Sequence, residues 1–188
     1  RLFHQYSFDE TTVIVREMAE LLALDLVDKG VTTDQIVLTL NYDIENVKNG
    51  YKGEISIDGY GRKVPKHAHG TGNINRLTSS SKLIVETALA VLFRIADRNL
   101  SVRKVNISAN HITDENKVEP QICQLDFFTD YSKIKAEEDC LKKERSLQNA
   151  MLRIQKRYGK NAILKGTNLQ ECATTIERNN QVGGHKAE

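Results

Sequence analysis

The sequence predicts an α+β domain: a four-stranded, mainly antiparallel sheet with two helices on one face, followed by a linker and a C-terminal helical tail. Three observations predict it. Apolar residues recur at three- and four-residue spacing over 9–29 and 80–98, each long enough for a helix with a buried stripe. Residues 35–42 and 102–112 switch to a two-residue period, which marks strands with one buried face. No apolar run approaches the roughly eighteen residues of a membrane span, so both stripes must be buried within a fold, and no membrane partner is expected.

Ser7-Phe8-Asp9-Glu10 opens the first helix, with Ser7 capping free amides and Glu10 reaching back to it as a capping box. Its buried face takes Val13, Ile14, Met18, Leu21, Leu22 and Leu26, while Arg16, Glu17, Glu20 and Asp28 are expected in water. Gly30 ends it, because glycine adopts the left-handed cap without a steric cost. In the following strand Ile36, Leu38, Leu40 and Tyr42 alternate with Gln35, Val37, Thr39 and Asn41. Residues 46–53 read as a loop and Glu54–Asp58 as a second, short strand. Gly59, Gly61, Pro65, Gly70 and Gly72 are then expected to interrupt regular structure.

Thr78 to Ser81 supply caps for the second helix, whose stripe is Leu83, Ile84, Ala88, Leu89, Leu92, Ile95 and Ala96. Val105, Ile107 and Ala109 alternate in the last strand. With one further strand expected ahead of Leu2, the order is (β)-α-β-β-α-β. Residues 132–158 are helical again, with a narrow face of Cys140, Leu147, Met151, Ile154 and Tyr158 that must dock on something to be stable. The polar segment from Lys160 onward is not expected to fold by itself. The division is therefore a domain at 1–113, an acidic linker at 114–130 and a basic tail at 131–188.

The net charge of +2 conceals strong segregation. Residues 60–76 carry +4, residues 114–130 carry −4 and residues 131–188 carry +5. Two basic zones flanking an acidic linker suit a polyanionic partner, although such blocks are also ordinary solvated faces. Cys123, Cys140 and Cys172 form no C-x-x-C pair, which fits a reducing cytoplasm and neither a disulfide framework nor a zinc knuckle. The opening Arg1-Leu2-Phe3-His4 has the look of a fragment of something longer, without a signal peptide.

No nucleophile–base–acid arrangement, no phosphate loop of the G-x-x-x-x-G-K type and no two-metal carboxylate site emerges, so no catalytic or metal-binding residue is assigned. His67 and His69 are strand-spaced but lack further ligands. The loop Tyr60-Gly61-Arg62-Lys63-Val64-Pro65-Lys66-His67 has the composition of a phosphate-contacting segment, glycines admitting the backbone and Arg62, Lys63 and Lys66 supplying charge. Arg76, Arg103 and Lys104 extend the basic surface; edge-strand protection explains the last two equally well. In the linker, Gln124-Leu125-Asp126-Phe127-Phe128 reads either as a peptide that anchors in a partner's apolar pocket or as a strand packing on its own domain.

Val15-Arg16-Glu17-Met18-Ala19, Leu26-Val27-Asp28-Lys29-Gly30 and Thr33-Asp34-Gln35-Ile36-Val37-Leu38-Thr39 resemble the C-terminal region of Y-family translesion DNA polymerases, in the UmuC/ImpB/MucB-like branch of Gram-positive bacteria. Tyr60-Gly61-Arg62, Pro65-Lys66, Ala68-His69-Gly70-Thr71 and the terminal Arg178-Asn179-Asn180-Gln181-Val182-Gly183-Gly184-His185 add to the likeness. It implies a little finger domain that grips primer-template duplex DNA, with Arg62, Lys63, Lys66, Arg76, Arg103 and Lys104 as DNA contacts chosen by charge and placement. The whole protein would then act in DNA damage repair and the SOS response. Its nucleotidyl-transfer site, with Mg2+, would lie in a palm domain, so no cofactor is expected in this piece. Gln124 to Phe128 resembles the Q-L-x-L-F peptide that binds the bacterial β sliding clamp, with Phe127 in place of the usual leucine. The tail would meet DNA, a recombinase filament or other SOS proteins. An RNA-binding module and a pure protein-interaction domain are the alternative readings.

Overall fold

The computed structural model describes residues 2, 4–117, 131–182 and 185–186. Helix α1 spans Phe8–Lys29 and starts as its sequence demands: the Ser7 side chain accepts from the Glu10 amide, and Glu10 accepts from the Ser7 amide at 2.8 Å. Gly30, at φ 65°, closes it. Strand β1 (Val31–Tyr42) follows and forms the centre of an antiparallel sheet, with β4 (Ala68–Thr78) on one side and β5 (Val102–Asn110) on the other. The short β6 (Thr113–Asp114) turns back at His111 to pair with the start of β1 and makes the fourth strand. Helix α3 (Ser81–Ile95), capped by Ser80, lies beside α1 on one face of the sheet.

The core lies between that face and the two helices. Ile36, Leu38 and Leu40 of β1 are fully enclosed by Ile14, Val15, Ala19 and Ala23 of α1 and by Ile84, Ala88 and Leu92 of α3. Each of the three β1 side chains contributes roughly 1.5–3 kcal/mol by leaving water. Alanines on α1 keep the helix pair close. Leu2 donates to the Arg103 carbonyl at 3.1 Å and Tyr6 forms an isolated bridge with Val102 of β5, while the strand expected ahead of Leu2 lies outside the described residues.

Four sequence-based expectations are corrected here. The stretch containing Gly70 and Gly72 is not interrupted; it is β4, and its glycines admit α3. A Cβ on Gly72 would sit 2.5 Å from Thr87 Cγ2 and 2.7 Å from Val91 Cγ2, so only hydrogen fits. The Glu54–Asp58 strand exists as β2 (Ile55–Ile57), but it pairs with β3 (Lys63–Pro65) in a separate hairpin and not in the main sheet. The loop at 46–53 begins with one helical turn, α2 (Glu45–Lys48). Glu17 is fully buried, because the tail covers it.

The tail's long helix, α4 (Tyr131–Tyr158), docks through a face rotated from the one its apolar spacing suggests, with Met151 common to both. Cys140, Leu147 and Tyr158 are exposed, whereas Gln148 and Met151 are buried. The seam is largely polar. Glu144 accepts from Ser80 Oγ at 2.6 Å and from the Lys82 amide at 2.9 Å, placing a carboxylate on the positive end of α3. Gln148 Nε2 donates to the Ser79 carbonyl and to Ser81 Oγ, and Arg145 donates to Ser79 Oγ. Beyond α4 the chain folds over α1, with α5 at Thr175–Asn179. Glu17 there accepts from Asn168 Nδ2 at 2.8 Å and from the Thr174 amide at 2.8 Å. Burial lowers the pKa of the nearby Arg178 guanidinium, and the Glu17 charge partly opposes that. Among the described residues, no helix is long and apolar enough to cross a membrane.

Candidate nucleic-acid interface

Because α1 and α3 take one face of the sheet, the alternate residues of its strands form an open face. The register sets them in rows across three strands: Asn73–Gln35–Asn110, Thr71–Val37–Ser108 and His69–Thr39–Asn106, ending at the pair Asn41–Lys104. Gln35 donates to Asn73 at 3.0 Å and accepts from Asn110 at 2.9 Å, so an amide ladder crosses the sheet. Thr39 Oγ1 and His69 Nδ1 lie 2.9 Å apart. Apart from Val37, these rows present amides and hydroxyls with few charges, and their one ring is the His69 imidazole. Such a surface can exchange hydrogen bonds with a sugar–phosphate backbone but offers no continuous stacking platform.

At the Asn41–Lys104 end the β2–β3 hairpin folds against the sheet and encloses an open recess of about 420 Å³. Arg62, Arg103 and Lys104 meet there, brought together from the hairpin and from β5. The hairpin turn is braced from within. Asp58 accepts from the Tyr60 and Arg62 amides at 2.9 and 3.0 Å and from Arg62 Nε and Nη2 at 2.8 and 2.6 Å. Gly61, at φ 76°, supplies the left-handed residue that the turn requires. The guanidinium hydrogen bonds hold the Asp58 carboxyl down to about 2 and push Arg62 above its ordinary value. Arg103 Nε stands 3.7 Å from Asp43 Oδ2. The Arg62 guanidinium also lies 5.0 Å over the Tyr60 ring, which is 80% exposed.

The remaining sequence-predicted residues divide. Lys63, on β3, is exposed and has no carboxylate partner among the described residues. Lys66 pairs with Glu54 at 2.8 Å on the hairpin surface, a contact worth under about 1 kcal/mol that a phosphate can replace. Arg76 lies toward the other end of β4, where it pairs with Glu137 of α4. That ion pair joins the tail to the sheet and sets Arg76 apart from the basic cluster. Gln124, Leu125, Asp126, Phe127 and Phe128 lie outside the described residues.

Sequence reasoning did not single out Gln35, Asn73, Asn106 or Asn110 as interface residues. For Gln35, Asn106 and Asn110 the signal was the outward half of an alternating strand, whereas Asn73 lay in a stretch read as interrupted, and only the register shows that they align. Residues 3–125 match the family model of the impB/mucB/samB family C-terminal domain. No curated protein matches the chain.

Proposed function

The chain belongs to the impB/mucB/samB family through its C-terminal domain, the C-terminal region of a UmuC/ImpB-like Y-family polymerase, and on that premise we propose that it holds duplex DNA on the open face of its sheet. The observation that supports this best is the pairing of a polar, helix-free sheet face with Arg62, Arg103 and Lys104 gathered at one end and Lys63 exposed on the neighbouring hairpin. Phosphates would meet the cations, and the amide and hydroxyl rows would follow the backbone. Such contacts carry little base information, so binding would be indifferent to sequence, as copying any template requires. Nucleotidyl transfer, and the Mg2+ it needs, would belong to a palm domain of the whole protein.

Residues 124–128 would act as a clamp-binding peptide, supported by their resemblance to the Q-L-x-L-F pattern. Lying in the chain between Glu115–Lys117 and helix α4, such a peptide would keep the domain close to a sliding clamp and raise its effective concentration at a primer terminus. The exposed cations Lys142, Lys143, Arg153 and Arg157 of α4 would remain available to a further acidic partner, such as DNA or a recombinase filament.

Fluorescence anisotropy against salt tests the DNA half. Four phosphate contacts give a slope of roughly −3.6 in log K against log salt, and each charge reversal at Arg62, Lys63 or Lys104 should reduce its magnitude by roughly 0.9. A slope unchanged by all three reversals removes the assignment. For the clamp half, alanine at Gln124, Leu125 and Phe128 should abolish capture by immobilised clamp and leave duplex affinity intact; retained capture refutes it.

A further inference from the structure

We propose that the recess beside Tyr60 takes one unpaired nucleotide continuing from the bound duplex, its base stacked on the Tyr60 ring and its phosphate among Arg62, Arg103 and Lys104. This inference rests on the duplex-binding reading and adds a single-strand site to it.

Tyr60 is the most exposed large hydrophobic side chain among those described, at 80%, and it projects from a turn that is anything but loose. The Asp58 carboxylate fixes both ends of that turn, the Asp58 amide donates to the Arg62 carbonyl at 2.9 Å, and the Gly61 amide donates to the Asp58 carbonyl at 3.0 Å. An exposed aromatic ring on a mobile loop would lose entropy on stacking; one on a braced turn loses little. The Arg62 guanidinium lies over the ring at 5.0 Å, so a planar cation and a planar aromatic are already assembled side by side.

The charge and size of the recess match one nucleotide. Arg62, Arg103 and Lys104 face it together with Asp43 and Asp58, leaving a net single positive charge for a phosphate that enters the recess. At about 420 Å³ it has room for a base and its sugar. Its wall includes Asn41 and Lys104, which also form the last row of the open sheet face, so a strand leaving that face passes directly into it. A base inside a duplex shows only its edges, whereas an unpaired base presents a face that an aromatic ring can accept. The geometry therefore distinguishes the end of a duplex from its middle, which the rows of amides and hydroxyls cannot do.

Anisotropy with three probes at one salt concentration tests this: a blunt duplex, the same duplex with a short thymidine extension, and one whose extension carries abasic sites. The thymidine extension should tighten binding about tenfold over the blunt probe, and the abasic extension, with the same phosphates and no base to stack, should gain only a small part of that. Tyr60→Ala should remove that gain and Tyr60→Phe should keep it, both leaving blunt-duplex affinity unchanged, since the side chain is exposed and the turn is braced through Asp58. Blunt-duplex binding with no gain from thymidine, an equal gain from the abasic extension, or a gain that survives Tyr60→Ala overturns this inference alone. Absence of blunt-duplex binding even at low salt overturns the reading beneath it, and this site with it.

Discussion

Replacing Glu17 with alanine should release the tail from the domain. The carboxylate is fully buried on α1 and accepts from Asn168 Nδ2 and the Thr174 amide, each at 2.8 Å, with a weaker contact from Thr174 Oγ1 at 3.4 Å. Both short bonds go to a charged acceptor, and each contributes roughly 2 kcal/mol net. Truncation leaves the buried Thr174 amide without an acceptor, while Asn168 Nδ2 keeps its bond to Thr175 Oγ1 at 3.2 Å, and with both short bonds gone the loss comes to about 4 kcal/mol. At 1.4 kcal/mol per factor of ten, the docked-to-released ratio for residues 163–180 falls by a factor on the order of a thousand. Hydrogen exchange reads this directly: amides of 163–180 should lose protection in Glu17→Ala, while β1 and β4 keep theirs. Cys172 gives a second readout. Burial raises its thiol pKa in the docked tail, so its reaction with a thiol reagent should accelerate in the variant. Unchanged protection of the tail amides in a folded variant would refute the claim that Glu17 is what holds it.

Further perturbations address other contacts. Gly72→Val should destabilise the domain by about 1–3 kcal/mol in urea unfolding, because the new Cβ meets Thr87 and Val91 of α3 at under 3 Å. The Asp58 carboxyl should titrate near 2 by carbon NMR and move toward about 3.9 in Arg62→Gln. Since its folded value is depressed, Asp58 favours the braced turn above about pH 4, and that contribution is lost as pH falls through about 2. Arg76→Gln should leave duplex affinity within about twofold while weakening tail protection, since its ion pair runs to Glu137. In the unmodified chain exposed Cys140 should react with a thiol reagent faster than half-buried Cys172.

The sequence by itself determined the three long helices, the caps of the first two and the alternation of β1 and β5, because these are local: Ser7 reads Glu10 three residues away, and Ile36, Leu38 and Leu40 share a face by backbone pleat alone. It also carried the family likeness and the basic composition of 60–66. Tertiary structure decided what local pattern cannot hold. Gly70 and Gly72 look like breakers until α3 is seen to need their missing side chains. Glu17 looks solvated until Asn168 and Thr174, some 150 residues later, enclose it. The apolar spacing on α4 suggested a docking face of which Met151 is buried, yet the seam is rotated toward Glu144 and Gln148, because the caps of α3 offered them hydrogen bonds that no apolar neighbour could supply. Likewise Arg62, Arg103 and Lys104 become one site, and Arg76 is set apart from it, only through strand register and hairpin closure, which bring together residues that chain order keeps far apart.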